Sequence, residues 1–171
     1  MTSERLWNFV SSYFETDDGS LPEIALGNLH DRGRDNVFAV LASYFEMMNI
    51  EATYVDKKNS LVESAHFSHS LLRRLEAAEI KRVQFVANEL KVQGIQLPDL
   101  GILILPDEVI LDYRMGSDWT PKTVFSFFSF LKELRSVAPD STLYIPESSG
   151  GGFPEMMKKE FEEVFDKFVK D

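Results

Sequence analysis

Leu6, Phe9, Val10, Tyr13 and Phe14 recur at i, i+3, i+4, i+7 and i+8, which predicts a helix with one apolar face. Asp17-Asp18-Gly19-Ser20 closes it as a turn, and Pro22–Leu26 reads as a short strand. A second helix capped by Asp35 carries Val37, Val40, Leu41, Tyr44, Phe45 and Met48 on its buried stripe. Ile50–Val55 then alternates as a half-buried strand does, so strand, helix and strand suggest a βαβ crossover.

Lys57–Ser60 is polar and reads as a loop. Phe67, Leu71, Leu72, Leu75 and Ala78 predict a third helix. Val83–Val92 reads as a strand whose alternation slips near Val86, as at a bulge. Beyond the break at Leu97-Pro98-Asp99, Gly101–Leu105 and Val109–Met115 form a hairpin, joined through Leu105-Pro106-Asp107-Glu108.

Thr120 followed by Pro121 is a cap with proline in the first turn, the clearest helix start in the chain. Val124, Phe127, Phe128, Leu131 and Leu134 form the stripe that follows, widened by Phe125 and Phe130. Thr142–Ile145 is a short strand. Pro154 opens a final helix with Met157, Phe161, Val164, Phe165 and Phe168 inward. The pattern predicts a single α+β domain over residues 1–171. A mixed sheet of about six strands, with a central β-meander or hairpin, would carry about five helices on one or both faces.

Composition narrows the function. No apolar run approaches the roughly 18 residues of a membrane span. The start, Thr2-Ser3-Glu4-Arg5, lacks the basic and apolar regions of a secretory signal. With no cysteine, disulfide frameworks, thiol nucleophiles and cysteine zinc sites are all absent. A cytoplasmic protein without a cofactor and without a membrane association is the expectation.

The net charge is −10 over 171 residues, which argues against direct nucleic-acid binding. The negatives are segregated. Residues 1–31 hold Glu4, Glu15, Asp17, Asp18, Glu23 and Asp31 against Arg5 alone. Residues 99–118 hold Asp99, Asp107, Glu108, Asp112 and Asp118 against Arg114 alone. These two stretches carry nine of the ten net negatives. If they meet in the fold, one face is strongly acidic.

Several constellations could carry chemistry. Glu63, His66 and His69 sit at i, i+3 and i+6, which on an early-starting third helix could ligate a divalent metal. Ser64 or Ser68 could instead cap that helix and leave Glu63 outside it, and Arg73 and Arg74 oppose a cation there. Ser148-Ser149-Gly150-Gly151-Gly152 lies between a strand and a helix, the layout that cradles an anion, but neither the Walker nor the dinucleotide spacing is present. Asp112 and Arg114 share one face of their strand as a candidate ion pair. Trp119 could anchor a partner, or staple the helix start against Val124.

No catalytic signature emerges. The favoured expectation is a small acidic, non-catalytic protein-binding domain, of the inhibitor or immunity type, that docks a basic protein partner. Its contact residues would be Asp17, Asp18, Glu23, Asp107, Glu108, Asp112, Asp118 and Trp119. The alternatives are a carboxylate- or metal-dependent small hydrolase using Glu63, His66 and His69, and a small-ligand or anion binder using Ser148–Gly152. The oligomeric state is not legible.

Overall fold

A computed structural model describes residues 1–17, 19–147 and 155–171. Its elements are α1 (Ser3–Val10), β1 (Glu23–Gly27), α2 (Asp31–Phe45), β2 (Glu51–Asp56), β3 (Val62–His66), α3 (His69–Glu76) and β4 (Ile80–Ala87). There follow β5 (Lys91–Val92), β6 (Ile95–Gln96), β7 (Leu100–Ile104), β8 (Val109–Tyr113), α4 (Pro121–Val137), β9 (Thr142–Tyr144) and α5 (Glu155–Lys170). The fold is α+β. Seven strands form one sheet in the order β3-β2-β4-β7-β8-β1-β9, and β5 and β6 pair as a separate hairpin. Every pairing is antiparallel, where a mixed sheet was expected.

The difference lies in the crossovers. β1 and β2 run in the same direction, as a βαβ unit requires, but β8, β7 and β4 lie between them. The 15-residue α2, about 22 Å long, is long enough for the lateral step of roughly 19 Å between the two strands. α3 and α4 make similar split units, returning the chain across β2 and across β1. Parallel direction is therefore kept without any parallel pairing.

Alternation sorts the sheet into two faces. Leu100, Ile102 and Ile104 on β7 and Val109, Leu111 and Tyr113 on β8 are buried against the helices. The opposite face carries Thr53, Gln84 and Val86, all exposed, so it is open over β2 and β4 among the described residues, while Ala25 and Gly27 of β1 are buried on that side. This one-sided burial is the common state of antiparallel sheets. The core is strongly aromatic. Phe14 stacks on Tyr113 at 4.9 Å, Phe67 meets Phe85 at 4.7 Å, and Phe128 joins α4 to Phe161, Phe165 and Phe168 of α5.

Several boundaries differ from the sequence pattern. α2 begins at Asp31 rather than at Asp35, with His30 at the cap position. Phe9 is 53% exposed, because α1 tightens into a 3₁₀ turn over Ser11–Tyr13 that swings Tyr13 and Phe14 inward instead. The bulge in β4 falls at Lys81–Arg82, opposite Tyr54–Asp56, not near Val86. Lys91–Gln96 turns back on itself through Gln93 and Gly94, both at positive φ, as a two-residue hairpin turn requires. β3 was not expected at all.

Thr120 caps α4 as expected. Its hydroxyl accepts from the Thr123 amide at 3.3 Å, and the Thr123 hydroxyl accepts from the Thr120 amide at 2.7 Å. Thr123 thus fills the role that Glu or Gln fills in the usual capping box.

Candidate functional site

β1 and β8 bring the two acidic stretches together. Glu23 lies directly opposite Asp112, and Ala25 opposite Ile110. By strand parity all four belong to the face opposite the helices, where Ala25 is buried and Glu23, Ile110 and Asp112 are partly exposed. Neighbouring strands supply a floor of small residues. A Cβ added to Gly101, opposite Asp112 on β7, would sit 2.5 Å from Asp112 Cγ and closer to its oxygens. A Cβ on Gly27 would sit 3.1 Å from a Tyr144 ring carbon. The glycines therefore let Asp112 and Tyr144 lie flat on the sheet.

Like charges directly opposite each other repel. Burial pushes the Asp112 carboxyl above the usual range. Burial first, then the charges of Asp112 and Glu108, pushes up Glu23. Glu108 accepts a hydrogen bond from the Tyr144 hydroxyl, and this bond, with burial and the nearby Glu108 and Asp107 charges, raises Tyr144 to about 12. Asp107 is exposed, and its backbone carbonyl accepts from the Leu29 amide at 2.9 Å, which ties the β7–β8 turn to the end of β1.

Arg114 does not pair with Asp112. It reaches Asp17, with Nη2 2.8 Å and Nε 2.9 Å from Oδ2, and joins the α1–β1 connection to the end of β8. That commits the one cation of residues 99–118. Asp118 is exposed nearby and lines a cavity with Asp17, Asp99 and Arg114. An acidic band thus follows β1 and β8, from Asp118 and Asp17 through Asp112 and Glu23 to Glu108 and Asp107.

Other sequence candidates are placed differently. Trp119 is 3% exposed and is no surface anchor. Its Nε1 donates to the Arg114 carbonyl at 2.8 Å, and its ring packs on Phe14, Tyr113 and Phe127. Burial beside the α4 cap fits the staple position rather than the partner position.

Glu63, His66 and His69 do not converge. Residues 62–66 form edge strand β3, and Ser68 caps α3, accepting from the Leu71 amide at 3.4 Å. Glu63 lies on the helix side and accepts from the Tyr54 hydroxyl, while His66 has the opposite parity, across from Glu51. His69 Nε2 accepts from Arg73 Nε at 3.1 Å. No group of three potential ligands forms a metal site among the described residues. Asp18 and Ser148, Ser149, Gly150, Gly151 and Gly152 lie outside the described residues.

Sequence reasoning passed over Gly101 and Tyr144. A glycine inside the apolar run Leu100–Leu105 is the signal of a close approach. Tyr144 had no signal, because its place beside Glu108 depends on β9 pairing with β1. No family model matches the chain, and no curated protein and no solved structure shows significant similarity to it. No helix among the described residues is long and apolar enough to cross a membrane.

Proposed function

We propose that this chain is a small non-catalytic binding domain whose open sheet face docks a basic protein partner. The observation that carries the reading is the β1–β8 register, which sets Glu23 against Asp112 beside Glu108, with no cation among the causes of the Glu23 shift within the described residues. Such a cluster holds its carboxylates in mutual repulsion. A lysine or arginine from a partner relieves that repulsion and gains charge-assisted hydrogen bonds. Electrostatic complementarity of this kind speeds encounter and selects partners. Inhibitors and immunity-type proteins act this way when they offer carboxylates to a basic surface that otherwise meets nucleic acid.

The test is affinity capture from the native lysate with the wild-type chain and with the variant Glu23→Gln, Glu108→Gln, Asp112→Asn. Both are run at low and at roughly 0.5 M salt, where exposed charge pairing is screened. The reading expects a basic protein held by the wild type at low salt, lost at high salt and not held by the variant. The same proteins on both baits would overturn it.

A further inference from the structure

The ends of four neighbouring strands form a second feature of the acidic surface. β2 begins, β4 ends, β7 begins and β8 ends along one edge of the sheet, because successive strands in that order are antiparallel. Two half-open cavities lie along this edge, about 940 Å³ and about 620 Å³, and both have Gln96 in their walls. With its amide nitrogen turned toward Asp99, Asn88 of the larger cavity donates to that carboxylate of the smaller one at 3.2 Å. The two cavities therefore adjoin. Across four strands this groove of two adjoining cavities spans roughly 14 Å, the reach of four or five extended residues.

The lining is mixed. Met48, Ile50 and the 54% exposed Val86 put apolar surface in the larger cavity, among the polar side chains of Asn49, Glu51, Glu89 and Lys91. Asp99 and Asp118 make the smaller cavity acidic, and Arg114 there is already held by Asp17. The groove's remaining charges are Glu51, Glu89 and Lys91, so the whole is net negative.

We propose that this groove holds an extended segment of the basic partner, with an aliphatic side chain against Val86 and an arginine or lysine between Asp99 and Asp118. The inference rests on the docking reading above and adds to it a second contact region with its own ligand chemistry. Charge complementarity and the length of the groove favour an extended basic peptide over a compact ligand or a second copy of this acidic chain.

The experiment uses a capped eight-residue peptide with a leucine four positions from a pair of arginines, and a control with citrulline in place of arginine. Binding is followed by amide ¹H–¹⁵N shifts and by fluorescence anisotropy. The expected result is shifts confined to residues 44–51, 86–99 and 114–118. Asp99→Asn with Asp118→Asn weakens the peptide roughly five- to tenfold. Glu163→Gln with Asp166→Asn, an equal loss of charge on exposed positions of α5 outside the groove, changes it by less than about twofold. Equal binding by the groove variant, or shifts centred on Glu23 and Glu108, would overturn the groove and leave the docking reading standing. No discrimination between the arginine and citrulline peptides would count against both. Concentration-dependent dimerisation that covers Val86 and Asp118 would also overturn the proposal.

Discussion

The Asp112 carboxylate occupies the space above Gly101 where any other residue on β7 would place its Cβ. This contact explains why a carboxyl on an open sheet face is half-buried and titrates high, since burial is the cause of the Asp112 shift. Gly101→Ala should push the carboxylate into water. The expected cost in stability is about 1 kcal/mol, with the Asp112 carboxyl falling back toward its ordinary value of about 4. A carbon-detected NMR titration of the variant reads that shift directly. An unmoved Asp112 would show that Gly101 does not set its environment.

The like-charge pair predicts an unusual pH dependence. Both Asp112 and Glu23 are raised on folding. A raised carboxyl supports the folded state fully below its unfolded pKa of about 4, and that support is lost as pH rises through the folded value. Asp112→Asn should therefore raise stability at pH 7 by about 0.5 kcal/mol. Its advantage over the wild type should close below about pH 4. Urea denaturation at both pH values checks the sign, and an advantage equal at both would contradict the account of two carboxyls raised on folding, Asp112 by burial and Glu23 by burial and its like-charged neighbours.

Trp119 is expected to be structural. Trp119→Ala should cost about 3–5 kcal/mol, because it empties the space between Phe14, Tyr113 and Phe127. Trp119→Phe should cost only about 1 kcal/mol for the lost bond to the Arg114 carbonyl. Thermal melts separate the two. A Trp119→Ala chain as stable as the wild type would argue that the ring is peripheral to the core.

Excess zinc should leave the melting temperature unchanged, since Glu63 and His66 lie on opposite faces of β3. A ligand at a hundred times its Kd stabilises by about 2.7 kcal/mol. For a chain of this size that is a rise of at least about 5 °C. A rise that size, abolished by His66→Ala, would restore the metal reading.

The sequence revealed what local chemistry controls. The Thr120-Pro121 start and the α4 stripe were legible because cap, proline and apolar period agree within a few residues. The β7–β8 hairpin was legible because its inward alternation brackets a proline turn. β3 was hidden because an edge strand with one open face needs no apolar period, and only Ala65 on it is even partly buried. The acidic site was half legible. Charge counting found both stretches, but the pairing of Glu23 with Asp112 depends on strands separated in sequence by some ninety residues. Tyr144 and the Gly101 floor follow from the same non-local pairing.

The most direct test of the docking claim is calorimetric titration of the captured basic partner into the wild type and the Glu23→Gln, Glu108→Gln, Asp112→Asn variant. It is run at roughly 0.1 M and roughly 0.5 M salt. The wild type should bind tightly at low salt and lose about tenfold or more at high salt, while the variant binds weakly in both. Equal affinity for the two chains, or wild-type binding indifferent to salt, would contradict a role for this face in docking.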